Sequence, residues 1–463
     1  MSTTSTPTAA ISAIANAGEF HAPGSDIFAT TMRRLPTILG AKPDFVGLVR
    51  PGSAEELATA IRFARAQKLA IFRLYNASNT GARLSGDGKT LIVDLSRMNR
   101  ILEVNATYAY ARVEPGVSFA ELAAHFVANK LPLLVDSERD PHASIAGSIF
   151  SKGFGYTPYG DHLLVQCGAE YVLPDGERLR SGMGAMENNR TWQLYKFALG
   201  PYSDGLAVQS DVMIPTQTGL WLMGHAPAFR PFAIDLEDDR ALAGAVETLR
   251  GLKISNTLPG TIAITHRDFD ARRSGESARK AQWRLHGALY GIPKVVELGM
   301  AAVQASLGAV KGAALLGDDK LASEPLWQEH RALMAGEPGP GALRLSGGAG
   351  SASLTFVAPI EGDLATAMLA IARRIFDGKD GPLLCEFSVL GRALMLTVHL
   401  PHDATQAASA DRLTGSGRSL IQAMGDAGFG LVSYSPEYGR LATSLLSGKP
   451  LGALQSRIET ALW

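Results

Sequence analysis

Gly153-Phe154-Gly155-Tyr156-Thr157-Pro158-Tyr159-Gly160-Asp161-His162 is the most constrained stretch of the chain. It packs three glycines, a proline and two tyrosines into ten residues. Glycine admits close approaches and backbone conformations that a Cβ forbids, and proline fixes its own φ. Together they describe a rigid backbone of unusual shape, a tight turn set among packed aromatic rings. Asp161 and His162 end the stretch, but one such pair supplies too few ligands for a metal and too few groups for a catalytic constellation. Tyr159, Asp161 and His162 therefore read as structural.

Outward from this stretch, strands and helices alternate. Ser53, three residues before Glu56, makes a capping-box pattern ahead of a helix running to about Lys68. Ala70–Leu74 and Leu91–Leu95 read as buried strands separated by a loop of Asn, Ser and Gly. Tyr108–Val113 alternates like a strand and turns through Glu114-Pro115-Gly116-Val117 into a helix over 118–129. Residues 166–180 read as a hairpin around Pro174-Asp175-Gly176. From about residue 229 helices interleave with longer strands: 238–251, 294–312 and 363–376 as helices, 260–266, 351–359 and 383–399 as strands. The last segment, 413–463, reads as helix, loop, helix. The pattern predicts an α+β protein of two units: residues 1–228, with 430–463 returning to it, and residues 229–429.

Composition bounds the partners. Hydrophobic residues make up 46% of the 463 and charged residues 19%, enough for a large core. Lys plus Arg and Asp plus Glu are 44 each, with no basic block, which argues against nucleic acid. No apolar run approaches the ~20 residues of a membrane span. Two cysteines, Cys167 and Cys385, exclude a disulfide framework and leave no Cys-based metal site. Low cysteine usage and the absence of a secretory pattern at the start point to the cytoplasm, and no metal is expected.

Residues 153–162 resemble the signature of the vanillyl-alcohol oxidase / para-cresol methylhydroxylase family of flavoproteins. The chain is similar to that family also at Met98–Val104, Val113–Val117, Gly182–Ala185, Gly200–Leu206, Gly219–Met223 and Gly287–Gly291. The resemblance implies an α+β fold with a two-subdomain FAD-binding domain and an α+β cap domain built on an antiparallel sheet. It implies FAD as cofactor and a small aromatic substrate, typically a para-substituted phenol such as lignin yields. The phenol binds as phenolate, a benzylic hydride goes to the flavin, and a para-quinone methide results. A homo-oligomer is implied as well, with a cytochrome or a homologous subunit as further partners the family allows. Carried onto this chain, the FAD contacts fall on Ser78, Asn79, Thr80 and Gly81, on Ser144, Gly147 and Ser148, on Tyr156 and Gly160, and on Ile214. The phenolate clamp falls on Tyr438 with Arg440, or on Tyr434. Arg139, Asp140 and His142 fall near the place where some members keep an acid beside the flavin.

Several positions depart from the family pattern. Ala82 stands where a tyrosine is usual, and Pro141–Ser148 replaces a Gly-rich run. Met213 stands in place of a glycine and Asp211 adds a negative charge. Met395-Leu396 occupies the position where some members attach FAD through histidine, so the cofactor is expected to be non-covalent. Three functions therefore stay open: an FAD-dependent phenol oxidoreductase, a flavin-free lyase that removes water or formaldehyde from a 4-hydroxyphenyl substrate, and a silent partner subunit.

Overall fold

The computed structural model describes residues 16–34, 44–76, 89–339, 350–376, 382–402, 407–434, 438–445 and 448–463. The N-terminal unit holds two sheets. In the first, strands Asp44–Arg50, Lys89–Asp94 and Ala70–Leu74 run parallel, with Glu19–His21 antiparallel at the edge. The crossover between the Asp44–Arg50 and Ala70–Leu74 strands is the helix Ala54–Ala66, capped as its sequence predicts: the Glu56 amide donates to Ser53 Oγ at 3.2 Å. The second sheet is antiparallel and orders its strands 101–105, 110–113, 214–221, 166–172, 178–180. Its Gln166–Val172/Arg178–Arg180 hairpin turns at Gly176, where φ is +85°. Ser118 and Glu121 form a complete capping box on the helix Phe119–Ala128.

The second unit is one eight-stranded antiparallel sheet. Its strands lie in the order 313–315, 228–236, 283–291, 262–266, 384–390, 393–402, 350–359, 430–434. Helices Asp239–Ile254, Pro293–Ser306, Gly362–Phe376 and Ala407–Asp426 cover one face and bury an aliphatic and aromatic core against it. One expectation needs correcting. Gly430–Tyr434 does not return to the first unit; it pairs with Gly350–Pro359 as the edge strand of this sheet, and Leu431 and Tyr434 pack on its core. The segment is short and bounded by glycines and a proline, which by local chemistry alone describes a loop. Further on, Trp463 does reach the first unit, donating its indole N–H to the Asp211 carbonyl at 3.3 Å.

The other face of the second sheet is polar. Strict alternation sends Cys385, Phe387 and Val389 into the helix-covered core, and so sends Glu386 and Ser388 the opposite way. On the neighbouring strands Thr397, His399 and Thr355 join them. Glu386, Ser388, Thr355 and Thr397 are all buried. A buried polar face must meet polar partners, and the N-terminal unit supplies them.

The 153–162 stretch delivers those partners. Gly155 N–H donates to the Gly160 carbonyl (2.9 Å) and Gly160 N–H to the Thr157 carbonyl (3.0 Å). Asp136 holds the loop from below, accepting Thr157 N–H on Oδ2 (2.6 Å) and lying 3.0 Å from His162 Nε2 through Oδ1. A methyl group at Gly155 would overlap the Asp136 carboxylate and crowd the Ser137 carbonyl. Gly155→Ala is thus expected to cost about 3 kcal/mol, read as a lower midpoint in chemical denaturation. Gly224→Ala, where nothing lies within 4 Å of the added carbon, should stay within about 0.5 kcal/mol of the parent.

Candidate active site

Loop residues 136–142 run along the junction of the two units. Asp136 and Glu138 turn back into the N-terminal unit, and Arg139 turns toward the polar sheet face. Arg139 Nη1 donates to Glu386 Oε1 at 2.6 Å and Nη2 to Oε2, a bidentate pair across the junction. His399 Nε2 lies 3.1 Å from the same Oε1. The guanidinium carbon of Arg139 sits 5.6 Å from the ring centroids of both Tyr156 and Phe269, and the His399 ring stacks on Phe269 at 4.4 Å and 10°. Burial alone would raise the Glu386 carboxyl. The charge and hydrogen bonds of Arg139, with His399, outweigh it and hold the group well below the usual carboxylate range. Arg139 stays a cation for the reciprocal reason. Its Nε is buried and has no hydrogen-bond partner among the described residues.

More buried charge surrounds this centre. Arg273 donates to both oxygens of Glu329 (2.7 and 2.6 Å) and lies over Phe269. Arg279 pairs with Asp270 and donates to the Thr265 carbonyl. His286 and His330 stack at 4.0 Å, with Tyr156 edge-on to His330. Both nitrogens of His330 and Nδ1 of His286 are buried without hydrogen bonds among the described residues.

The structure sorts the residues expected from sequence. Tyr156 and Gly160 are at the junction. Tyr156 lies against Arg139 and His330, and Gly160 abuts Thr261 of the second unit. Ser144 and Ser148 are buried, but their hydroxyls are taken up internally. Ser144 donates to the Pro115 carbonyl and accepts the Gly147 amide; Ser148 meets Glu138 and His162 Nδ1. Ile214 is a core residue paired with Val172. Asp140 accepts the His142 amide at 2.9 Å, and the His142 ring is exposed while its carbonyl accepts Asn76 Nδ2 at 2.8 Å. Tyr438 is a correction. Its hydroxyl donates to the Leu413 carbonyl at 3.0 Å inside the helix-covered core, on the far side of the sheet from Arg139. Tyr434 packs on the same core. Ser78, Asn79, Thr80 and Gly81 lie outside the described residues, as does the Arg440 side chain. Glu386 and His399 escaped the sequence reading. Their signal was present, a Glu in an otherwise apolar alternating strand and a His on the same face of its hairpin partner.

Residues 46–182 match the family model of an FAD binding domain. The flavoprotein subunit of 4-cresol dehydrogenase [hydroxylating] from Pseudomonas putida is 26% identical over 439 residues, 89% of this chain and 83% of that protein. The chain is a homologue of this flavoprotein subunit. The 1'-carboxy-chondrochloren decarboxylase of Chondromyces crocatus is 31% identical over 241 residues, 51% of this chain and 42% of that protein. Among solved structures, p-cresol methylhydroxylase with substrate bound superposes with a TM-score of 0.89 at 23% identity, covering 98% of this chain and 94% of that one. The isoeugenol complex of 4-ethylphenol oxidase from Gulosibacter chungangensis gives 0.88 at 25%, covering 98% and 95%. The α+β fold is therefore that of p-cresol methylhydroxylase, and the FAD binding domain with the flavoprotein relative makes the chain an FAD-dependent oxidoreductase with FAD as its cofactor.

The two residues that sequence set against FAD are compatible with it. Met213 buries its side chain in the apolar core of the N-terminal unit. Asp211 faces the fully buried Arg73 guanidinium at 4.0 Å, so it brings a charge pair to this region and not an isolated anion. The Arg139 Nε–H offers a donor at the junction to an acceptor that the described residues do not supply.

The buried histidines give a pH prediction. Burial first, then the neighbouring arginines, depress His286 well below its ordinary value; for His330 burial is followed by His286. Burial also lowers His266 to about 4. Below the unfolded pKa of ~6.5 the unfolded chain binds protons that the folded chain refuses, so stability falls as pH drops from about 6.5, by at most ~1.4 kcal/mol per pH unit for each such histidine. Denaturation midpoints at pH 7.5 and 5.5 measure this. The His286→Phe/His330→Phe double variant should lose most of the dependence, leaving the part due to His266.

Proposed function

We propose that this chain oxidises a para-substituted phenol, of the kind lignin breakdown releases, at its benzylic carbon through a para-quinone methide. The observation that carries the reading is the Arg139 centre: a half-buried cation fixed by the buried Glu386, flanked by the rings of Tyr156 and Phe269, with one buried N–H left without a partner among the described residues. A phenolate satisfies each part of it. Its oxygen accepts the free N–H, its charge is stabilised by the guanidinium in a site shielded from water, and its ring packs between aromatic walls. FAD, when bound, supplies the two-electron acceptor for the benzylic hydride. Around it we assign Ser78–Gly81, Ser144, Gly147, Ser148, Tyr156, Gly160 and Ile214. Because the Ser144 and Ser148 hydroxyls are engaged within the protein, their part is to hold the backbone of 144–148 in place. The resemblance to a flavoprotein subunit supports a further, electron-accepting subunit as part of the same proposal, to which we add a homo-oligomer. No helix among the described residues is long and apolar enough to cross a membrane.

The relative named as a decarboxylase favours a second reading, in which the same phenolate logic cleaves a bond to the benzylic carbon.

The visible absorption spectrum of the purified protein tests both. Flavin bands that bleach when 4-methylphenol is added without oxygen support the oxidase or dehydrogenase. Turnover of a 4-hydroxyphenyl substrate by protein free of flavin overturns it in favour of the lyase. Arg139→Lys, which keeps the charge but loses the planar fork, should slow flavin reduction by about 10²-fold. An unaltered rate removes Arg139 from the site.

A further inference from the structure

A cavity of about 370 Å³ opens beside the paired residues Leu384 and His399, bounded by the helices Arg267–Ser274 and Gly362–Phe376. Among the described residues, none of Arg139, Tyr156, Phe269 and Glu386 lines it, so it is a space separate from the phenolate site. Its volume is at the small end for ligand pockets and suits one ring with a short substituent. Phe376, Pro382, Leu384, Leu400 and Leu413 make most of its lining apolar. Asp268 and Arg272 bring opposite charges, Arg272 exposed and Asp268 partly so. Solvent screens both, and together they leave no net charge for a ligand to match. His399 is the more enclosed polar group, its side chain 16% exposed. Its tautomer follows from its other contact. Glu386 is held on both oxygens by the cation Arg139 and is ionised, so it only accepts hydrogen bonds. His399 Nε2, 3.1 Å away, must then carry its proton toward Glu386. That leaves Nδ1 with a lone pair. No described residue bonds to Nδ1, and it is not enclosed as the nitrogens of His330 are. The cavity is the open space that this ring borders, and stacking on Phe269 fixes the ring's plane.

We propose that this cavity is a second small-molecule site, and that it takes a neutral, largely apolar molecule whose hydroxyl group donates to His399 Nδ1. The apolar walls select the body of the ligand, and the lone pair selects its polar end. A hydroxyl has the proton that Nδ1 needs. An ether of similar size has none. A carboxylate only accepts, so it sets its own lone pairs against that of Nδ1. His399 alone belongs both to this site and to the group around Arg139, which it meets through Glu386. The site stands whether or not the chain oxidises phenols, because nothing in its lining depends on that reaction.

Isothermal titration calorimetry on the holoenzyme tests this, with benzyl alcohol as the probe and benzyl methyl ether and benzoate as controls. The parent should bind benzyl alcohol saturably at a single site, the ether about 10-fold more weakly, and benzoate more weakly still. His399→Phe keeps a ring against Phe269 but removes the acceptor, so it should bind the alcohol no better than the ether. Ala271→Phe adds a ring to the lining from a partly exposed helix position. It should abolish binding of both molecules without touching His399. The proposal is overturned if the parent binds no benzyl alcohol or binds alcohol and ether alike. It is equally overturned if the preference for the alcohol survives in His399→Phe, or if Ala271→Phe binds as the parent does. None of these outcomes bears on phenol oxidation, which the bleaching of the flavin bands tests separately.

Discussion

The ion pair between Arg139 and Glu386 joins the two units of this protein, and much else follows from its burial. A carboxylate moved from water into a sheet face is strongly unfavourable by itself. Here it is met in bidentate geometry by a guanidinium from the other unit and touched by His399. Neither partner is satisfied unless the loop 136–142 and the second sheet dock in one register. The pair therefore acts as a specificity device more than a net source of stability, since removing one member strands the other. It also places a cation, an anion and an imidazole together where the polar sheet face meets the loop 136–142.

The docking depends in turn on how the N-terminal unit shapes its loop. Asp136 grips Thr157 and His162, and Gly155 lets it come close. That grip holds Tyr156 against Arg139 and brings Gly160 up to Thr261. The stretch that looked like an isolated turn is thus the hinge-pin of an inter-unit contact. Its conformational demands are explained by what it must touch, and its Asp-His ending by the clamp beneath it.

Much of this was legible in the sequence. Capping patterns at Ser53 and Ser118, the Asp175-Gly176 turn and the alternating runs gave the helices Ala54–Ala66 and Phe119–Ala128, the strands Ala70–Leu74, Lys89–Asp94 and Tyr110–Val113 and the hairpin at 166–180, because local backbone chemistry decides them, but not the strands 44–50, 101–105 and 214–221. The signature residues pointed to the fold. What could not be read was which face of each second-unit strand looks inward. Glu386 and His399 lie 13 residues apart on paired strands and meet only because the hairpin aligns Leu384 with His399. Tyr438 illustrates the opposite error. A tyrosine near an arginine late in the chain fitted a phenolate clamp by order alone, yet Gly417 makes room for its ring in the helix-covered core, where the Leu413 carbonyl accepts a hydrogen bond from its hydroxyl.

The loop 136–142 also organises protons on its other side. Glu138, Ser148, His162 and Asp136 form a continuous hydrogen-bonded chain. Burial raises the Glu138 carboxyl, which favours its acid form. Ser148 donates its hydroxyl to Glu138 and lies 2.6 Å from His162 Nδ1, while His162 Nε2 lies 3.0 Å from Asp136 Oδ1, so the network pins the start of the loop. Alternate residues of one short segment thus serve two separate tasks: 136 and 138 anchor it to the first unit through a hydrogen-bonded chain, which frees 139 to reach across and complete the site.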